Sequence, residues 1–380
     1  MCIVFFGADE RYSLILASNR DEFLARPTTP ASWHAWQANR STHSRHPSPT
    51  NRVLSGLDLE GGGTWLGIAF PPSSSSRSER RPRTLRIATL TNFTESIDPS
   101  DPPRPSRGKL VKDFLDYERG RTVQEYIDHL DQVKHEFAGF NLLVAELSFD
   151  DTGSTDEAQP SRATEGPHRT PRATTVQEDL TIGYVSNRET PSKRARILPR
   201  LAPDAPVRGL SNATLEADPG DSVWPKVASG CRAVDEAVKE SARRGEGDDA
   251  LVQRLWNCLS TASLSDITDR THLRHTVLVR PLAFTRASLA VPPVPPPLPA
   301  PSLPRSPADL PESVSNGNRE GQDGTRWYAT RTQTCVLVER GTGRVVVRER
   351  EAYGLKSEGA TPEWKADKGL AGENGFEFRV

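Results

Sequence analysis

Residues 2–23 read CIVFFGADERYSLILASNRDEF. Two short runs rich in β-branched and apolar residues, Cys2–Gly7 and Tyr12–Ser18, flank a charged turn, the pattern of a β-hairpin. Asn19, Arg20, Asp21 and Glu22 follow directly. Strongly polar residues after an apolar run are expected at the strand's end, and a hairpin returns that end to the start of the chain. Met1 is the sole methionine, and a small second residue permits its removal. Cys2 would then carry a thiol and a free α-amine, with ordinary pKa values of about 8.5 and about 7.7–8.0. The amine is thus matched to take the thiol proton near neutrality. A nucleophile and its base in one residue is the logic of N-terminal nucleophile catalysis. Arg20 is suited to stabilise a thiolate, and Asp21 to orient the α-ammonium. The alternative is a chance cysteine on an edge strand beside a turn with a surface ion pair.

Outward from the hairpin, strands are expected at Trp65–Phe70, Leu85–Phe93, Asn141–Leu147, Thr181–Ser186, Thr276–Arg280, Thr334–Glu339 and Arg344–Arg350. Helices are expected at 108–117, 122–135, 224–243 and 249–261, with Trp224, Val227, Cys231, Val234 and Val238 recurring at helical spacing. Cys231 and Cys258 read as core residues. Four stretches dilute this order: 34–50, 71–84, 148–178 and 286–325, the last containing VPPVPPPLPAPSLPRSP. They hold too little apolar surface to offset chain entropy and are expected to be disordered or polyproline II insertions. The proline tract also fits a proline-binding module. Setting the four aside leaves about 278 residues, the size of a single domain, so residues 1–380 read as one unit.

The 380 residues carry 49 Lys and Arg against 50 Asp and Glu. That balance lacks the basic footprint of phosphate-backbone binding, so no nucleic-acid partner is expected. No apolar run approaches the roughly 18 residues of a membrane span. The opening MCIVFFGADERY lacks the regions of a secretory signal, so the expected location is cytoplasmic, with Cys2, Cys231, Cys258 and Cys335 as free thiols. Their spacings match no zinc pattern, and the eight histidines are isolated or lie in insertions. No resident metal or cofactor is expected.

Several ordered blocks carry a family resemblance: MCIVFF, ASNRDEF with Arg26-Pro27, LSGLDLEGGGTWLGI at 54–68, ATLTNF at 88–93, RPSRGKLVKDFL at 104–115, FAGFNLLVAEL at 137–147, GLSNATL at 209–215 with Trp224-Pro225-Lys226, and TRTQT at 330–334. The chain resembles the NRDE family, whose animal member is named for transport and Golgi organisation. That family is similar in motif order to N-terminal nucleophile (Ntn) amidohydrolases that cleave bile-salt and penicillin amides. The resemblance implies an α+β fold, an αββα sandwich of two antiparallel sheets with helices outside. It implies a site of Cys2, Arg20, Asp21, Asn92, Asn212 and Arg331, with Asn92 in an oxyanion hole, Asn212 positioning Cys2 and substrate, and Arg331 holding the electrostatics of the thiolate. Asn19 is an alternative for its neighbours' roles, and Trp65 either lines the pocket or belongs to the core. Asn92 and Asn212 equally suit turns, Arg331 a carboxylate partner, and Gly61–Gly63 either a ligand cradle or a plain turn. Gln333 stands where relatives usually carry Asn, and Ala329 where Gly is common.

Two functions follow from the resemblance. One is a cysteine hydrolase of a carbon–nitrogen amide. The other is a non-catalytic protein that binds a small hydrophobic ligand, haem or an acyl-lipid, with a role in Golgi organisation and secretion. The family also implies Golgi-associated or mitochondrial locations.

Overall fold

The computed structural model describes residues 2–35, 53–70, 83–93, 104–116, 121–151, 176–189, 194–215, 224–262, 270–284, 325–356, 361–366 and 373–380. Most of the four expected insertions therefore lies outside the described residues. Their edges do not: 148–151 and 176–178 continue paired strands, so that insertion is shorter than its composition suggests.

In chain order, β1 (Ile3–Gly7) and β2 (Tyr12–Phe23) form the expected hairpin. A second sheet follows, built from β3 (Ser32–His34), β4 (Val53–Ser55), β5 (Leu66–Ala69), β6 (Arg83–Asn92), β7 (Phe140–Asp151), β8 (Val176–Ser186) and β9 (Arg196–Ile197). Between β6 and β7 lie α1 (Gly108–Leu115) and α2 (Val123–Val133). The chain then returns to the first sheet with β10 (Arg208–Leu210), passes through α3 (Pro225–Arg244) and α4 (Asp248–Leu259), and adds β11 (Leu282–Phe284), β12 (Arg326–Glu339) and β13 (Arg344–Glu351). A small ribbon, β14 (Tyr353–Leu355) with β15 (Pro362–Trp364), precedes the edge strand β16 (Asn374–Arg379). The first sheet runs β10-β1-β2-β12-β13-β16, with β11 on β12, and every pairing in both sheets is antiparallel.

Alternation along the strands creates the layers. Val4, Phe6, Leu14 and Leu16 face the second sheet, meeting Trp33, Ile68, Leu85 and Leu143. Their neighbours Ile3, Phe5, Ile15 and Ala17 face α3 and α4, against Val234, Leu255 and Trp256. Behind the second sheet, Ala88, Leu90, Leu142 and Val144 pack on Phe114, Tyr126 and Ile127 of α1 and α2. Two sheets thus share one core and each covers its outer face with a helix pair, a mixed α+β arrangement. The helix ends obey local chemistry. Thr122 and Glu125 form a capping box before α2, Pro225 occupies the first turn of α3, and Gly245 ends α3 at φ 62°.

The Asn19–Glu22 tetrapeptide stands at the end of β2 and pairs there with β12, and Asn92 is the last residue of β6. One reading is corrected. Thr276–Arg280 is no strand: Thr276 Oγ1 donates to the Leu278 carbonyl at 2.7 Å, and the Leu278 N–H donates to the Thr261 carbonyl at 2.9 Å. Those bonds occupy groups a ladder would need.

The glycine run at 61–63 serves a turn. Gly62 has φ 69°, and a Cβ on Gly63 would lie 2.4 Å from the backbone carbon of Gly108, where α1 begins. Backbone cannot step aside as a side chain can. Gly63→Ala is expected to cost about 1–3 kcal/mol in denaturant unfolding while leaving Cys2 ionisation unchanged.

Candidate functional site

Register builds the site. Ile3 pairs with Asn19, so Cys2 stands just ahead of β1 and across from Arg20. Cys2 is 7% exposed. Burial pushes its thiol pKa up, and the Asp21 charge adds to that rise. The chain's amino terminus, the Arg20 guanidinium and a hydrogen bond from the Asp21 backbone N–H oppose it. The resting sulfur is therefore held as a thiol.

Asp21 and Arg20 point to opposite faces of β2, as successive strand residues must. Asp21 is buried on the helix side. Thr330 Oγ1 donates to Asp21 Oδ1 at 2.6 Å and accepts from the Val279 N–H at 2.8 Å, which fixes its direction. Tyr328 donates its hydroxyl to the Asp21 carbonyl at 3.1 Å. Burial pushes the Asp21 carboxyl up, opposed by the amino terminus and Lys226.

Arg20 faces the other sheet. Its guanidinium carbon lies 4.1 Å from the centroid of the half-buried Trp65 ring, and its Nη2 is 3.6 Å from Glu22. Its Nη1 is buried without a hydrogen-bond partner among the described residues. Trp65 also packs on the inter-sheet core, the second of the two readings expected of it. Arg331 sits where the β2–β12 register slips between Thr330 and Thr332. As the extra residue of that bulge it donates to the Arg26 carbonyl. Burial, then the neighbouring Arg20 charge, lower its pKa. Arg331 thus stands beside Arg20.

Asn92 and Asn212 do meet. Asn212 Nδ2 donates to the Asn92 carbonyl, and Ser211 Oγ lies 3.0 Å from Asn212 Oδ1 and 2.8 Å from the Cys2 carbonyl. Ser211 therefore ties the asparagine pair to the start of the chain. Asn92 Oδ1 is buried with no hydrogen-bond partner among the described residues. Asn19 goes elsewhere. It donates to the carbonyls of Leu259 at 2.8 Å and Val277 at 3.0 Å, and accepts from Gln333 Nε2 at 3.1 Å. Gln333 Oε1 in turn accepts from Arg350 Nε at 2.8 Å. Asn19 is a clasp between β2, β12 and the end of α4, and the longer Gln333 reaches both partners.

Sequence reasoning missed two residues here. Asn141, fully buried on β7, shares its Nδ2 among Thr91 Oγ1 at 3.1 Å and the carbonyls of Ser211 and Ala213 at 3.0 Å each. Tyr184 donates to Asn141 Oδ1 at 2.8 Å and accepts from the Leu215 N–H at 3.0 Å. This network holds the loop that carries Asn212. The signal was an asparagine inside the apolar run FNLLVAEL, where an unpaired amide would be costly. The second is Lys226, 0% exposed in the first turn of α3. Its signal was a cation where the helix dipole is positive.

Glu349 on β13 adds a pH response. It is buried, accepts from the Ala31 N–H at 2.6 Å and from Thr334 Oγ1 at 3.4 Å, and burial raises its pKa to about 7, with Arg20 pulling the other way. The folded chain thus keeps this proton where the unfolded chain has lost it. Stability is present in full below the ordinary carboxylate range and falls as pH rises towards 7, by an order of 3 kcal/mol. Thermal unfolding from pH 4 to 8 is expected to show that decline, and Glu349→Gln to flatten it.

These features define an α+β protein of two packed antiparallel sheets flanked by helices, with a cysteine heading the first strand and Asn19–Glu22 embedded in the second. A family model described as Transport and Golgi organisation 2 matches residues 1–354. The chain belongs to that family, of which NRDE is another name. Among curated relatives, the bovine Transport and Golgi organization protein 2 homolog is 31% identical over 365 residues, covering 93% of this chain and 94% of its own. The human homolog is 32% identical over 250 residues, covering 63% and 66%, and the Drosophila protein 31% over 160, covering 39% and 46%. Among the described residues no helix is long and apolar enough to cross a membrane.

Proposed function

We propose that this chain is an Ntn-type hydrolase of carbon–nitrogen amide bonds, with Cys2 as nucleophile. The observation that carries the reading is the hydrogen bond from Asp21 to Cys2 together with Ser211, which links the Cys2 carbonyl to the Asn92–Asn212 pair. With Met1 removed, the α-amine takes the thiol proton and the sulfur attacks the amide carbon. Asn92 faces the oxyanion, whose stabilisation in such sites is the largest catalytic contribution. The carbon–nitrogen bond then breaks as the α-ammonium returns its proton to the leaving nitrogen. Water adds to the thioester carbonyl, loses a proton to the same amine, and releases the acid and the Cys2 thiol. The pair of sheets between helix layers suits the Ntn likeness. We extend to this chain the part in Golgi organisation that its relatives' names state.

Intact-mass analysis tests the hydrolase directly. The purified chain should lack Met1 and gain one acyl increment on the Cys2 peptide when exposed to penicillin-type and N-acyl amides. Met1 retained, with no increment on any amide, overturns the proposal. Stoichiometric haem binding that disappears in Cys2→Ala, again without acylation, would assign the site to a carrier instead.

A further inference from the structure

A cavity of about 550 Å³ opens at the far end of β1 from Cys2, roughly 17 Å along the strand. The turn between β1 and β2, the 203–207 segment ahead of β10 and the C-terminal half of α3 wall it. Its buried lining is aliphatic: Ala8, Val238 and Leu251, with the half-buried Val207 beside them. Val207 closes the wall against β1, since a Cβ on Gly7 would stand 3.0 Å from Val207 Cγ2. Volume and lining are those of a small-molecule site. The charges around it are unevenly matched. Both cations in the lining are already held: Arg11 Nη2 lies 2.6 Å from Asp248, and Lys239 Nζ 2.7 Å from Asp235. Glu246 is likewise taken by Arg254 at 2.6 Å. Asp9 and Glu10 line the cavity and form no ion pair among the described residues. Asp9 Oδ1 accepts the N–H groups of Arg11 at 2.9 Å and Tyr12 at 2.6 Å, which holds that carboxylate in the turn. The negative end of the α3 dipole arrives at the same place, where Gly245 caps the helix. The two arginines of that last turn, Arg243 and Arg244, are both bound to Glu240.

We propose that this cavity binds an amphipathic organic ammonium ion, its apolar body against Val207, Val238 and Leu251 and its cationic head at Asp9, Glu10 and the end of α3. Apolar walls remove the ligand's hydrocarbon from water, and the unmatched carboxylates select the sign of its head. An anionic head would meet those carboxylates and the helix C-terminus with every nearby cation engaged elsewhere, so the charge pattern works against it. The site is separate from the one at Cys2. It needs no hydrolysis, and the residues that form it take no part in the proposed amide chemistry.

The test is calorimetric titration of the full chain with octylammonium, beside octanoate and octanol. Octylammonium should bind saturably at one site, with a Kd below about 1 mM, and at least about tenfold more tightly than either control. Glu10 is exposed, so Glu10→Lys should fold as the parent does, weaken octylammonium about tenfold and leave Cys2 acylation unchanged. Ala205 lines the cavity from a half-buried position in the 203–207 segment. Ala205→Trp should fill the space and abolish binding. Octylammonium that fails to saturate, octanoate or octanol that binds as tightly, or full affinity in Ala205→Trp overturns the proposal. Should the tryptophan variant not fold, a photoreactive diazirine analogue of octylammonium on the unaltered chain decides. Label on residues 203–207 or 235–246 supports the site, and label confined to other segments excludes it.

Discussion

Cys2→Ser should lower acylation by an amide substrate about ten-thousandfold, and Cys2→Ala should remove it from this position altogether. The serine variant is the more informative. Its hydroxyl can still accept the Asp21 N–H that reaches Cys2, and the Ser211 bond to the residue 2 carbonyl at 2.8 Å involves only backbone on that side. Fold and pocket should therefore persist, with unfolding midpoints close to the parent's. What changes is the nucleophile, since a buried hydroxyl is far harder to ionise than a thiol. Rates of acyl-protein formation, read by mass over time, give the ratio. A serine variant that acylates within tenfold of the parent would place the chemistry elsewhere. In fly cells lacking their own relative, Cys2→Ala would also show whether Golgi morphology depends on this sulfur.

The second large effect is structural and lies outside the motif. Asn141→Ala should destabilise the chain by about 3–4 kcal/mol, measured by denaturant unfolding. The substitution leaves the buried Tyr184 hydroxyl without its acceptor and the half-buried Ala213 carbonyl without the Asn141 donor. The Ser211 carbonyl, which loses the Asn141 amide, keeps the bond from Thr91. Loss of the anchor frees the segment that holds Asn212 against Asn92. Acylation of Cys2 should consequently fall about a hundredfold even below the unfolding transition. Asn141→Asp retains the acceptor for Tyr184 and loses the donors, so it should be as harmful to the loop. If Asn141→Ala unfolds normally yet keeps full acylation, the network is a core feature without influence on the site.

The hairpin, most of the longer strands and all four helices were legible from periodicity and end signals, because each follows from side-chain alternation or capping within a few residues. The short strands β3, β4, β9, β10, β11 and β14 to β16 were not. Runs of two to six residues carry too little pattern, and their pairing depends on partners far away in the chain. The site divides the same way. Cys2, Asp21, Asn92 and Asn212 were visible as residue types in ordered blocks, and the structure gathers them. Asn19 was equally visible and is spent on α4.

By itself, then, the amino-acid order determined the layers: alternating apolar residues oblige both sheets to bury two faces, and amphipathic helices supply the covers. Which polar residues come together was decided only by tertiary structure. A one-residue slip at Arg331 and the register of Ile3 against Asn19 decide which face each side chain takes. Burial then raises the proton affinities of Asp21 and Glu349 and lowers that of Lys226. The reason is physical: strand geometry is local, whereas desolvation and Coulomb interaction depend on every neighbour that folding brings within reach.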